Sequence, residues 1–256
     1  MTQRILITND DGIHAPGIAA MERIARHFTD DVWIVAPDFE RSGASRSVSL
    51  ADPVRVREFE PKRFSLLRGT PTDCVVMALD AIMRDAPPTL VLSGVNRGAN
   101  LAEDMTYSGT VAAAMEAAQF GVRAIAMSQV FTPGSPVRWQ TAETHAPRVI
   151  ETLLRMQVPR GVFHNVNFPD VEPDQVKGVR ASRQGRWGHV KLNVHDRTDA
   201  RNFPYAWLAF THEPGAPERG TDVEVAYGGW ISVTPLHSDI TYHDGIGPLE
   251  RALGTR

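Results

Sequence analysis

The sequence has little cysteine, no long apolar run and no basic stretch, and each deficit narrows what the chain can be. Its 256 residues include a single cysteine, Cys74, so no intramolecular disulfide can form and a reducing compartment is expected. No apolar run approaches the roughly 20 residues of a membrane-spanning helix, and the N-terminus lacks the basic-then-apolar layout of a secretory signal. We therefore expect a soluble, cytoplasmic protein without a membrane partner. Cys74 lies in an apolar stretch and is interpreted as a buried core thiol.

The charge pattern and several missing motifs exclude further functions. The net charge is -3 and the Lys and Arg residues are scattered, which argues against a nucleic-acid polymer as partner but leaves small anionic substrates. No G-x-G-x-x-G follows the first strand and no Walker A lysine occurs, so dinucleotide-binding domains and P-loop NTPases are disfavoured. The histidines show no H-E-x-x-H spacing for zinc.

Short β-rich runs alternate with helical segments from Arg4 to about Gln129, which is typical of βαβ units in a mostly parallel sheet. The chain is long enough to bury one large α/β core. Predicted strands are "RILITN", "VWIVAP", "TLVLSG" and "AIAMS", with a small antiparallel extension between the second and third of these and a later strand at "VFHNVNFP". Predicted helices cover 17–28, a segment capped by Thr70 and Pro71, "TVAAAMEAAQF", and 140–156.

The pattern changes after the first 175 residues, where short alternating segments are separated by Gly, Pro and Asp clusters. "HVKLNV", "YAWLAF" and "DVEVAYGGWISVTPL" predict β-hairpins. Three tryptophans fall in this region: Trp187, Trp207 and Trp230. The predicted fold is thus a three-layer, Rossmann-like α/β core that binds metal and phosphate (1–175), a β-hairpin extension that takes part in oligomerisation (176–240) and a helical tail (241–256).

Two adjacent aspartates, Asp10 and Asp11, follow the first predicted strand in "NDDG". In a parallel α/β sheet ligands bind beyond the carboxyl ends of the strands, and Gly12 indicates a turn that lets both carboxylates converge. Converging carboxylates repel, so a proton or a cation must lie between them, and oxygen ligands suit Mg²⁺, Mn²⁺ or Ca²⁺. Ser42 and Asn96 follow two other strands and offer neutral oxygens to that cation. Taken alone, "NDDG" is also typical of a solvated turn, "RSGAS" of a flexible linker and each asparagine of a turn.

The start of a helix at "YSGT" predicts a phosphate seat. Ser108, Gly109 and Thr110 would present free backbone N–H groups at the positive end of the helix dipole. Gly43 would let the backbone approach the ligand, and Asn100 would donate hydrogen bonds to it. The alternative is an ordinary helix start with Thr110 as its N-cap.

Three further polar residues have no assigned role. His14 lies near the acidic pair in sequence, where it would either support the metal ligands or occupy an ordinary turn or surface position. His237 and Asp239 would reach the site only if the C-terminal region folds back over it.

Five motifs in a fixed order resemble the SurE family, the survival proteins that are metal-dependent 5′/3′-nucleotidases. The motifs are "ILITNDDGIHAPGI", "IVAPDFERSGAS", "GTPTDCV", "VLSGVNRGANLAED" and "YSGTVAAAMEAA", followed by "TPLHSDIT" near the C-terminus. The resemblance implies one divalent cation per subunit, Mg²⁺ or Mn²⁺, held by the same two aspartates, serine and asparagine, and a phosphate against "YSGT". It also implies a homodimer or homotetramer that exchanges C-terminal elements between subunits.

The expected activity is hydrolysis of nucleoside 5′-monophosphates, with 3′-monophosphates and short polyphosphate as further substrates. Water would attack the phosphorus, and Asp10 or Asp11 would take its proton. A direct aspartyl nucleophile is the mechanistic rival. Two other functions stay open at this stage: a non-catalytic nucleotide-binding regulatory module, and a metal-dependent glycosyltransferase, against which the predicted phosphate seat argues.

Overall fold

The computed structural model describes residues 3–187, 189–213 and 217–254. The strands are β1 Ile5–Thr8, β2 Val32–Pro37, β3 Arg55–Glu60, β4 Arg63–Leu67, β5 Leu90–Arg97, β6 Arg123–Gln129, β7 Val162–Phe168, β8 Val179–Ala181, β9 His189–Thr198, β10 Pro204–Glu213 and β11 Ile231–His237. The helices are α1 Pro16–Ala25, α2 Pro71–Met77, α3 Gly109–Gln119, α4 Trp139–Arg155, α5 Asp222–Tyr227 and α6 Ile246–Leu253. The final residues of the predicted tail, 255–256, lie outside the described residues.

In the described part of the chain, nine strands form one central sheet in the order β3-β4-β2-β1-β5-β6-β7-β11-β8. From β4 to β7 all neighbours pair in parallel, while β3 and β11 join antiparallel to β4 and β7. The chain passes from β1 to β2 on one side and later returns to β5 on the other. The order therefore reverses at β1, and the crevice beyond the carboxyl ends of β1 and β5 is the expected ligand site.

Helices cover both faces of the sheet, because successive side chains of each strand point to opposite sides. Ile5 and Ile7 of β1 pack with α1 and α4 on one face, and Leu6 packs with α2 and α3 on the other. Cys74 is buried in this second layer, as predicted. The three-layer, mostly parallel α/β fold is thus confirmed.

The predicted helices and strands of the core are confirmed with small shifts of their ends. Thr70 caps α2 and exchanges hydrogen bonds with Asp73, which forms a capping box. The extension between β2 and α2 is the β3–β4 hairpin, which joins the edge of the central sheet. Gly121 follows α3 with a positive φ of 81°, as expected for the residue that ends a helix.

One prediction in the C-terminal region is wrong, because "DVEVAYGGWISVTPL" is not a hairpin. Its first half is helix α5, and its second half is β11, which inserts into the central sheet beside β7. The Thr221 side chain accepts a hydrogen bond from the backbone N–H of Glu224, and acidic residues occupy the first turn. These helix-start signals, with Gly228 at the end, outweigh the alternation.

The other predicted hairpin is confirmed: β9 and β10 form a two-stranded antiparallel sheet of their own. Trp207 on β10 is exposed, whereas Trp187 just before β9 is half-buried and Trp230 packs under the Arg180 guanidinium. Among the described residues, no helix is both long enough and apolar enough to cross a membrane.

Candidate active site

The turn after β1 places the two aspartates. Asn9 closes it: its side-chain amide donates to the carbonyl of Gly12 (2.9 Å) and its side-chain oxygen accepts from the Gly12 N–H (3.2 Å). Gly12 has φ +102°, and a Cβ there would lie 3.2 Å from the backbone of Phe39. The position therefore needs glycine, which fixes where Asp10 and Asp11 emerge.

Asp10 is a buried carboxylate held by the start of α3. The Thr110 hydroxyl donates to Asp10 Oδ1 at 2.5 Å, and the backbone N–H groups of Gly109 and Thr110 also donate hydrogen bonds to this carboxylate. Burial raises the pKa of Asp10, while the Thr110 bond opposes that rise. A helix N-terminus thus stabilises an anion here, and the anion is the side chain of Asp10 itself.

Asp11 lies beside it in a half-buried position and accepts a hydrogen bond from the backbone N–H of Arg97 at 3.2 Å. Burial, followed by the charge of Asp10, raises the pKa of Asp11 to about 7. Within 3–187, 189–213 and 217–254, no Lys or Arg side chain forms an ion pair with either carboxylate. A buried and a half-buried carboxylate therefore lie side by side without an ion-pair partner among those residues.

The loop after β2 is tied to this turn. The backbone N–H of Arg41 donates to the carbonyl of Asp10 at 2.7 Å, which brings Ser42 and Gly43 to the same edge. The Ser42 hydroxyl donates to Glu40 Oε1 at 2.9 Å. This bond leaves the lone pairs of the Ser42 oxygen free to serve as a ligand. Gly43 has φ +78° and open space around it.

The same loop also contacts the segment before α3. The N–H of Ser45 donates to the carbonyl of Tyr107 at 3.0 Å, and its hydroxyl donates to the carbonyl of Thr106 at 2.7 Å. Arg46 forms an ion pair with Glu116 of α3. These bonds hold the serine-rich loop in place, so it is an ordered part of the site.

Asn96 lies at the end of β5. Its side-chain nitrogen donates to the carbonyl of Gly98 at 2.9 Å, which fixes the amide. No donor among the described residues bonds to its oxygen. Two uncompensated carboxylates, a hydroxyl and an amide oxygen are a donor set that fits a hard divalent cation. Groups of three or more His, Cys, Asp or Glu that could hold a metal ion are absent from the described residues, so a cation here would also need the neutral oxygens of Ser42 and Asn96.

The start of α3 differs in one detail from the alternative considered above, since Ser108 and not Thr110 is the N-cap. The Ser108 hydroxyl oxygen accepts from the backbone N–H of Val111 at 3.1 Å. Gly109 allows the close approach of helix and carboxylate, because a Cβ there would lie 2.8 Å from both Asp10 Cβ and Pro71 Cγ. The Ser108 O–H remains available as a donor.

Asn100 is buried in a polar network that the sequence reasoning missed. Its side-chain nitrogen donates to Ser128 Oγ (2.8 Å), and its backbone N–H donates to Asn167 Oδ1 (2.9 Å). Its carbonyl accepts from the side chains of Asn165 and Asn167. The sequence does contain a signal for this network. Asn165 and Asn167 are two residues apart on the buried strand β7, so their side chains point to the same face of the sheet.

A buried carboxylate from the C-terminal region, Asp222, was also missed. It accepts from the backbone N–H groups of Ala102 (2.9 Å) and Gly185 (2.8 Å). The Trp187 indole N–H donates to Asp104 Oδ2 at 3.0 Å. The segment that leads into Ser108 is therefore anchored from outside the core.

The three polar residues without a role form no hydrogen bond or ion pair with Asp10 or Asp11 among the described residues. His14 is exposed, and its ring packs edge-on against Phe59 at 5.3 Å. His237 pairs with Val162 at the amino end of β7, so within this chain it lies at the sheet edge opposite Asp10. Asp239 follows His237 at that opposite edge.

Comparison with known proteins identifies the family of the chain. The profile of the family described as "Survival protein SurE" matches residues 5–191. The chain is 50% identical over 255 residues to "5′-nucleotidase SurE" of Caulobacter sp. (strain K31), covering 98% of this chain and 94% of the relative. It is 50% identical to the protein of the same name from Brucella suis, covering 98% of each chain.

A solved structure shows the same fold. The crystal structure of the SurE protein from Aquifex aeolicus superposes with a TM-score of 0.83 at 32% identity, covering 97% of this chain and 99% of the other. The family profile spans all four loops of the site, and the curated relatives match over nearly their full length. The chain belongs to the SurE family.

Proposed function

We propose that the chain is a divalent-metal-dependent phosphomonoesterase that hydrolyses nucleoside 5′-monophosphates to nucleoside and phosphate. The observation that carries the proposal is the junction of the buried Asp10–Asp11 pair with the start of α3, joined by the Thr110 bond. The relatives named 5′-nucleotidase support the nucleotide substrate. Nucleoside 3′-monophosphates and short polyphosphate carry the same phosphoryl group and are proposed as further substrates.

Four side chains would hold one Mg²⁺ or Mn²⁺: Asp10, Asp11, Ser42 and Asn96. When bound, the cation supplies charge that polarises a phosphoryl oxygen and acidifies a water molecule. The residues of the chain contribute by holding these ligands in position. Asn9 and Gly12 hold the turn, and the Gly98 carbonyl holds the Asn96 amide through its nitrogen, which leaves the amide oxygen to bind the cation.

The phosphoryl group would lie at the outer side of the α3 start. We propose that the Ser108 O–H and the backbone N–H of Gly43 donate to its oxygens, and that Gly109 and Thr110, whose N–H groups hold Asp10, contribute the positive end of the helix dipole. Both the hydroxyl and the backbone N–H of Thr110 donate to Asp10, so the contribution of Thr110 to phosphate binding is the helix dipole and the placement of Asp10. Asn100 would act behind them by fixing the loop that carries Asn96.

The proton of the attacking water needs an acceptor near the phosphorus. Asp11 fits this role better than Asp10, because it is less buried and its carboxylate holds only a long backbone hydrogen bond. Asp10 is engaged by Thr110. The direct aspartyl nucleophile is tested by single turnover in ¹⁸O-water, where label found first in the protein would refute water attack.

A panel assay tests the proposed activity. Phosphate release is measured from 5′- and 3′-nucleotides and short polyphosphate with Mg²⁺, Mn²⁺ or chelator. The proposal expects release that depends on the added cation and stops with chelator. Metal-dependent nucleotide binding without release would instead establish the alternative, a non-catalytic binding module.

The oligomer is proposed as a homodimer or homotetramer that exchanges C-terminal elements. The apolar residues of α6 support this: Ile246, Leu249 and Leu253 are all exposed in the single chain. The exposed aromatic residues of the β9–β10 hairpin support it as well. Light scattering of the intact chain and of a chain ending before α6 tests the proposal, because loss of α6 should lower the mass of the assembly.

A further inference from the structure

Tyr107 stands directly before the proposed phosphate seat. It is the last residue before Ser108, the N-cap of α3, and its side chain is 46% exposed. Its carbonyl accepts the Ser45 N–H, so the serine-rich loop fixes its backbone. A large aromatic ring is therefore held one residue from the place where a phosphoryl group would bind.

A second aromatic ring comes from the β9–β10 hairpin. Phe210 of β10 contacts the Tyr107 ring, with ring centroids 5.1 Å apart and planes inclined by 55°. Side chains alternate along a strand, so Phe210 shares a face of the hairpin with Leu208, whereas Tyr205 and Trp207 lie on the other face. Among the described residues, the face of the hairpin that carries Phe210 thus brings an aromatic ring to Tyr107.

We propose that Tyr107 and Phe210 form a stacking platform for the nucleobase of the substrate. This deepens the proposed function, on which it rests. A nucleotide carries its base one sugar away from its phosphate. Tyr107 directly precedes the phosphate seat in the chain, and Phe210 contacts the Tyr107 ring. Aromatic rings stack on any base, because every base presents a π face. The platform favours nucleotides over simple phosphate esters and accepts both purines and pyrimidines.

The test compares AMP with ribose 5-phosphate, which has the same ester and sugar but no base. Stacking on an aromatic side chain contributes enough affinity that its loss lowers kcat/KM on the order of 5- to 150-fold. The ratio of kcat/KM for AMP to that for ribose 5-phosphate should therefore fall by this factor in Tyr107→Ala and, independently, in Phe210→Ala. Tyr107→Phe should keep the wild-type ratio, since the ring remains.

Trp207→Ala is the matched control, because it removes a larger aromatic side chain from the opposite face of the same hairpin. Its ratio should equal that of the wild type. An unchanged ratio in both alanine variants of the platform, or an equal fall in Trp207→Ala, would overturn the proposal. A wild-type enzyme that hydrolyses both esters equally well would overturn the platform and leave the phosphomonoesterase standing, whereas no metal-dependent release from either ester would overturn both.

Discussion

Replacing Thr110 by Val tests how the helix start supports Asp10. The two side chains have nearly the same shape, so the change removes the hydroxyl donor without opening a cavity at this fully buried position. The lost bond is 2.5 Å long and its acceptor is a buried carboxylate. A hydrogen bond to a charged group contributes roughly 1.5–3 kcal/mol. Its loss should raise the pKa of Asp10 further, because burial then acts with less opposition.

The expected cost to catalysis follows from the same energy. If the stabilisation of the carboxylate is lost in the transition state, kcat/KM falls about 10- to 150-fold, since each 1.36 kcal/mol is a factor of ten. The assay is phosphate release from AMP at saturating Mn²⁺, with urea unfolding to follow stability. Thr110→Ser keeps the hydroxyl and should recover most of the activity.

Either of two results would contradict a role of the Thr110 hydroxyl in turnover. Thr110→Val with wild-type kcat/KM would show that the bond to Asp10 does not matter for turnover. Thr110→Ser as impaired as Thr110→Val would show that keeping the hydroxyl does not preserve turnover, so the bond to Asp10 would not explain the loss.

Three further predictions concern other parts of the chain. Gly109→Ala should lower both activity and thermal stability, because the new Cβ would lie 2.8 Å from Asp10 Cβ. The resulting strain of about 1–3 kcal/mol exceeds the gain in helix propensity. A variant with wild-type Tm and activity would contradict this. The pKa of Asp31 is lowered to about 2, and the largest cause is the hydrogen bond from Lys62. Asp31 therefore adds stability above pH 4 that is lost as pH falls toward 2, and Asp31→Asn should lower Tm by roughly 2 °C at pH 7 but not at pH 2. Burial raises the pKa of Cys74, so iodoacetamide should modify it in urea and not in the native enzyme, as mass spectrometry will show.

The core could be predicted from the sequence because its signals are local. Hydrophobic runs, Thr70 with Pro71, and Gly121 each report on a few neighbouring residues, and parallel sheet topology then brings the ends of β1 and β5 together. The four candidate ligands were found in this way, from their positions after strands.

What could not be predicted depends on contacts between distant segments. The hydroxyl of Thr110 and the carboxylate of Asp10 are far apart in sequence, so its role as a donor to Asp10 appears only in the folded chain. The same holds for Asp222, which anchors Ala102 across the molecule. The hairpin prediction for the segment that forms α5 was wrong for another reason. The alternation of apolar and polar residues was given more weight than the helix N-cap at Thr221.

Phosphate release from AMP by the double variant Asp10→Asn, Asp11→Asn over a Mn²⁺ titration shows directly whether the aspartate pair holds the cation. The account predicts release at the buffer background at every Mn²⁺ concentration. It also predicts a thermal midpoint in chelator no lower than that of the wild type, because two buried like charges are removed. Metal-dependent release above background in this folded variant would contradict the claim that the aspartate pair is the cation site.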